Sequence, residues 1–126
     1  MIVTQADFAN LSLLGAPFRR LLKGAQVVAS DAVPPDVVTM NSQVILAYET
    51  TGVRRVVTLV YPPQASAALD HVSVLEPLGM ALLGACPGQL VERKRRLRLE
   101  RIVHQPERDL RDQLVCRAAE STMEHP

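Results

Sequence analysis

Four consecutive cations, Arg93-Lys94-Arg95-Arg96, are the densest chemical feature of the chain, and Arg98 and Arg101 follow them. Residues 92–101 hold six basic side chains against two acidic ones. Such a run supports electrostatic recognition: guanidinium and ammonium groups bind a carboxylate-rich protein surface or a phosphate backbone. The same run fits a solvated strand face and its turn, and both readings stay open. A second cluster, Phe18-Arg19-Arg20 with Lys23, sets three cations beside an aromatic ring. There the cations are solvated helix positions or partner contacts. Phe18 is either a packing residue or an exposed contact.

Other chemistries find little support. His71, His104 and His125 are far apart and lack the helical spacing of paired metal ligands. Ser42 and Ser73 have no nucleophile-elbow context and read as strand-end hydrogen bonders. The six glycines are isolated, so no phosphate-cradling loop is expected. Cys86 and Cys116 have no CxxC spacing and read as reduced thiols. Catalytic, cofactor and metal residues are therefore expected to be absent. Aromatic residues make up only 3% of the chain, which disfavours a base-stacking platform. Net charge is +1, so no strong global attraction to nucleic acid is expected. No apolar run approaches the roughly 18 residues of a membrane span, and Met1-Ile2-Val3 has no basic flank. A soluble, cytoplasmic protein with no membrane partner is expected.

The elements that would position the cations follow from the spacing of apolar residues. Thr4-Gln5-Ala6-Asp7 has capping-box form, and Phe8, Leu11 and Leu14 mark one helical face. Gly15-Ala16-Pro17 interrupts, and Phe18, Leu21, Leu22, Ala25 and Val28 predict a second helix. Residues 1–33 thus read as a short helical hairpin. Pro34-Pro35 closes it, since proline lacks an N–H and biases the preceding residue away from helix. Strands are predicted over 43–50 and 54–61, joined by a hairpin at Thr51-Gly52-Val53. A short strand at 71–75 leads to a helix opened by Glu76-Pro77 and stopped at Gly84. Two final strands, 89–94 and 97–104, flank the basic turn. Leu97 and Leu99 alternate with Arg96 and Arg98, as in an antiparallel sheet with one wet face. The tail from Pro106 to Glu120 reads as an amphipathic helix or a frayed end, with Leu110, Leu114, Val115 and Ala118 at helical spacing. Residues 121–126 read as disordered.

Three segments, Asp36–Val44, Leu59–Pro62 and Ser73–Gly84, together resemble the C-terminal domain of the bacterial Gre transcription factors. Within that group the resemblance is to the Rnk branch, regulators of nucleoside diphosphate kinase, and it extends to the opening Thr4–Leu14. It covers about residues 36–107 and implies an α+β, FKBP-like antiparallel sheet with one short helix, preceded by the helical hairpin. It also implies docking on RNA polymerase at the rim of the secondary channel.

Two departures limit what the resemblance carries. Gre factors have a long coiled coil whose acidic tip holds the metal for transcript cleavage. Here each arm has about ten to twelve residues, or roughly 15–18 Å of helix. Its turn, Gly15-Ala16-Pro17-Phe18-Arg19-Arg20, has no carboxylate. The cleavage acids are not carried over. Second, Arg93-Lys94-Arg95-Arg96 stands where the relatives have a Pro-Gly-Gly-type turn. The expectation is a polymerase-binding, non-enzymatic regulator with no cofactor. Its candidate contacts are Phe18, Arg19, Arg20, Arg93, Lys94, Arg95 and Arg96. The alternatives are a small basic nucleic-acid-binding module and an FKBP-like isomerase. Isomerase chemistry uses an aromatic-lined pocket, which four aromatic residues poorly supply.

Overall fold

A computed structural model of the chain describes residues 2–15 and 22–110. β1 (Ile2–Thr4) runs directly into α1 (Gln5–Ser12), and β2 (Gln26–Val28) returns beside β1. The Asp7 N–H donates to Thr4 Oγ1 at 3.1 Å, so the capping signal in the sequence is realised. Leu11 turns into the core and is fully buried.

This N-terminal unit corrects the expected helical hairpin. Gln26–Val28 is not helix but strand, paired parallel with β1 through Ile2–Gln26, Val3–Val27 and Thr4–Val28. The β-branched residues of Ile2-Val3 and Val27-Val28 favour extended backbone. Their mutual pairing overrides the helical spacing of Leu22, Ala25 and Val28. Residues 16–21, which carry the expected turn and Phe18, Arg19 and Arg20, lie outside the described residues.

Five strands form the main sheet: β3 (Gln43–Tyr48), β4 (Arg54–Val60), β5 (His71–Ser73), β6 (Leu90–Glu92) and β7 (Leu97–His104). Their spatial order is β5-β4-β3-β7-β6. β3 pairs antiparallel with β4 and β7, and β6 antiparallel with β7. β4 and β5 are parallel, so the sheet is mixed where an antiparallel one was expected. Pro62-Pro63 ends β4 and begins a 3₁₀ turn (Pro62–Gln64). The chain then crosses over before re-entering the sheet, and a tight hairpin is not available to it.

A short helix, α2 (Pro77–Leu82), packs against β4, β5 and β6. β5 and β6 are the two ends of the strand order, so one six-residue helix can touch both only because the sheet curls. Gly79 permits the contact: a Cβ there would stand 2.0 Å from the Ser73 carbonyl oxygen and 2.9 Å from Val74 Cα. β5's outer edge is closed by the Ser66–His71 bridge, with N–H···O bonds of 3.0 and 2.9 Å. The Glu76 carboxylate takes the Ser73 N–H at 3.1 Å.

β7 carries two irregularities in its register with β3, one leaving Glu100 extra and the other Val103. Each is a bulge, so the alternation of Leu97 and Leu99 with Arg98 breaks beyond Leu99, and Glu100 and Arg101 are both exposed.

One apolar cluster joins both parts of the chain. Val3, Leu11 and Leu22 share it with Val38, Met40, Leu46, Leu59, Leu82 and Leu99. Gln105, fully buried, fastens the connection: its Nε2 donates to the carbonyls of Pro34 at 2.8 Å and Val37 at 2.6 Å. A helical segment follows over 106–110, and Leu110 is exposed. Leu114, Val115 and Ala118 of the expected tail helix lie outside the described residues, as do Cys116 and His125.

Candidate partner-binding cleft

The basic turn joins β6 to β7, and its backbone is set by Arg96, which sits at φ +51° in the left-handed region. Its N–H reaches the Arg93 carbonyl at 3.3 Å, and its own carbonyl accepts the Glu49 N–H at 3.1 Å. The four cations divide by their partners. Arg96 Nε donates to Glu49 Oε2 at 2.9 Å, while Arg98 Nε donates to Oε1 of the same carboxylate at 2.6 Å. These two guanidinium groups hold the Glu49 carboxyl below its ordinary range. Arg95 Nε pairs with Glu92 Oε1 at 2.8 Å. Arg93 and Lys94 form no ion pair among the described residues. The run that reads as one patch in the sequence is thus two open cations and two that are internally paired.

The turn borders a cleft of about 610 Å³ between α2, β5 and β6. Val72, Pro77, Leu78 and Val91 supply its apolar lining, and Arg55, Arg93, Lys94 and Arg95 its cations. Glu76 and Glu92 are its two acids. Both are engaged, Glu76 by the Ser73 N–H and Glu92 by Arg95. Arg55 is clamped by Asp70, with Nε to Oδ2 at 2.7 Å and Nη2 to Oδ1 at 2.5 Å. That bidentate pair raises the Arg55 pKa and fixes the guanidinium along the cleft wall. Asp70 makes the pair from a left-handed backbone, φ +54°. Arg55 was missed in the sequence, where it opens a largely apolar strand beside Arg54. The signal available was a cation directly before the apolar pair Val56-Val57.

A second polar cluster, also unforeseen, ties α1 to the main sheet. Asp7 Oδ1 accepts from the Tyr61 hydroxyl at 3.1 Å, and Oδ2 from the Met40 N–H at 3.3 Å. Burial pushes the Asp7 carboxyl up, and the Glu107 charge adds to the rise. Burial likewise pushes the Tyr61 phenol up, reinforced by Asp7. Thr39 Oγ1 donates to Glu107 Oε2 at 2.7 Å, and the Thr39 N–H donates to Ser42 Oγ at 3.1 Å. Ser73 Oγ accepts the Leu75 N–H at 3.1 Å. Ser42 and Ser73 are the strand-end hydrogen bonders that the sequence suggests. Among the described residues no group of three or more His, Cys, Asp or Glu side chains could hold a metal ion.

The elements that line the cleft fall inside a recognisable family pattern. Residues 33–100 match the profile described as Transcription elongation factor, GreA/GreB, C-term. This chain belongs to the GreA/GreB family. A protein named Regulator of nucleoside diphosphate kinase, from Escherichia coli strain K12, is 36% identical over 91 residues. That match covers 72% of this chain and 66% of the relative, just under two thirds of its length. The protein of that name from Shigella flexneri matches equally. Among solved structures, a GreA/GreB prokaryotic transcription elongation factor from Nitrosomonas europaea superposes with a TM-score of 0.72 at 30% identity. The superposition covers 82% of this chain and 98% of the other. The relatives are named as regulators and elongation factors, not as enzymes. Among the described residues no helix is long and apolar enough to cross a membrane.

Proposed function

We propose that this chain is a transcription regulator of the Rnk/Gre type that docks on RNA polymerase at the rim of its secondary channel without stimulating transcript cleavage. The observation that carries the reading is the position of the family match: residues 33–100 include every residue that lines the cleft beside the basic turn. The docking surface is the cleft with Arg93, Lys94, Arg95 and Arg96, to which Phe18, Arg19 and Arg20 add a second contact. The sheet curled around α2 serves as an FKBP-like docking domain, over about residues 36–107.

Missing acids support a non-cleaving role. The segment from Gly15 to Arg20 holds no carboxylate, and α1, with eight residues, is about 12 Å long. Water activation by a metal needs carboxylates to hold that metal. The protein works in the cytoplasm and competes with cleavage factors for one site. The name of its relatives extends the reading to control of nucleoside diphosphate kinase levels.

The test is retention of core RNA polymerase by the tagged protein at low salt, repeated with Arg95→Ala/Arg96→Ala. Wild type is expected to retain polymerase and the variant to retain less; no retention by wild type refutes the docking. In a stalled-complex assay, stimulated cleavage refutes the non-cleaving role. The nucleic-acid alternative rests on Arg93 and Lys94 having no internal partner. It requires binding to bare nucleic acid that weakens steeply with salt.

A further inference from the structure

We propose that the cleft between α2, β5 and β6 receives an acidic protein segment bearing aliphatic side chains, with Arg93 and Lys94 as the residues that select its charge. This inference rests on the docking reading above and names the chemistry of the partner segment.

Three features of the cleft point to that occupant. First, its charge is unbalanced. Four cations face two acids; Glu92 is paired with Arg95, and Glu76 is held by the Ser73 N–H. Arg55 and Arg95 are themselves paired, with Asp70 and Glu92. What remains for a visitor is the positive charge of Arg93 and Lys94 against the single carboxylate of Glu76, a net positive balance. Both sit on the mouth-side turn, where a carboxylate can reach them without losing all its water.

Second, the lining between those cations is aliphatic. Val72, Pro77, Leu78 and Val91 offer no aromatic ring for a base to stack on, and among the described residues no aromatic one lines the cleft. A phosphate backbone would gain two cations but leave this apolar surface uncovered. An aliphatic side chain between acidic neighbours satisfies both surfaces at once. The volume is within the roughly 300–1,000 Å³ of ordinary binding clefts.

Third, on its β5 side the cleft offers side chains and no open backbone. The adjacent strand β5 has its outer N–H and C=O groups at His71 bonded to Ser66, and the Ser73 N–H bonded to Glu76. An extended peptide finds no free edge there to pair with, so strand addition at β5 is closed.

The test uses the whole chain and short fluorescein-labelled peptides: alternating Glu and Leu, alternating Glu and Ser, and alternating Lys and Leu. A single-stranded oligonucleotide is the fourth probe. Anisotropy gives affinity, and methyl NMR shifts of Val72, Leu78 and Val91 give location. The Glu-Leu peptide is expected to bind most tightly and to move those methyl signals. Arg93→Glu/Lys94→Glu should weaken it by about tenfold or more, with an unchanged melting temperature confirming the fold. Equal or tighter binding of the oligonucleotide overturns the proposal, as does an unaffected double variant or shifts confined to another face.

The polymerase experiment separates the two levels. If wild type retains polymerase but no acidic peptide enters the cleft, the acidic segment is refuted while docking stands. If the Glu-Leu peptide enters the cleft but wild type retains no polymerase, docking is refuted while the cleft's preference stands.

Discussion

Asp7, at the start of α1, accepts a hydrogen bond from the hydroxyl of Tyr61, just past the end of β4, at 3.1 Å. The bond is a polar link between the N-terminal unit and the main sheet, and the burial of Asp7 at that junction makes their association pH-sensitive. Burial raises the Asp7 pKa above its ordinary value of 3.8. The folded chain therefore holds this proton more tightly than the unfolded one. The stabilising contribution is full below the ordinary value and is lost as pH rises through the raised one. The melting temperature of wild type minus that of Asp7→Asn is expected to fall over that interval and to level above it. A difference independent of pH would show that Asp7 titrates normally.

Gly79 gives the sharpest steric expectation. Gly79→Ala sets a methyl 2.0 Å from backbone that cannot yield without moving β5. A loss of about 3 kcal/mol or more is expected in urea unfolding, at the upper end of overpacking costs. Gly24→Ala is the control, because a Cβ there meets nothing within 4 Å. It should change stability by less than about 1 kcal/mol.

Gln105 is expected to be a structural anchor out of proportion to its polarity. Gln105→Ala leaves the Pro34 and Val37 carbonyls without their donor and opens a void. Each unsatisfied carbonyl costs roughly 1–3 kcal/mol, so a total loss above about 2 kcal/mol is expected from denaturant curves. The Gln105 Oε1 atom is itself buried without a partner among the described residues, so the amide's hydrogen bonds run through its nitrogen.

Arg96 tests the backbone of the basic turn separately from its charge. At φ +51°, glycine is tolerated and a β-branched residue is not. Arg96→Gly should keep stability within about 1 kcal/mol, because an exposed ion pair to Glu49 contributes little. Arg96→Val should lose about 1–2 kcal/mol more, the cost of a left-handed non-glycine residue. Equal melting temperatures for the two would place the turn in a different conformation.

Much of the main sheet was legible because its signals are local. β7 falls at its expected limits, Leu97–His104, and the Pro77 opening of α2 is a backbone rule that needs no partner. What escaped depends on contacts distant in the chain. Gln26–Val28 becomes a strand only because Ile2–Thr4 lies beside it. The parallel pairing of β5 is set by a crossover, not by the residues of β5. The candidate site was half legible. The density of Arg93–Arg96 is visible in sequence, but the partner of each is not. Glu49, which pairs with both Arg96 and Arg98, lies in the β3–β4 connection, more than forty residues earlier. Arg55 and Asp70 meet only through the fold.

The sealed flank of β5 bears on behaviour in a crowded solution. An open strand edge is an invitation to any other chain with unpaired amides, and such edges seed dimers and fibres. Here two backbone bonds from Ser66 and one carboxylate from Glu76 withdraw that invitation on this side. Glu76 thereby guards solubility and frames the cleft with the same side chain. A change that frees it would be felt first as stickiness, before any loss of binding.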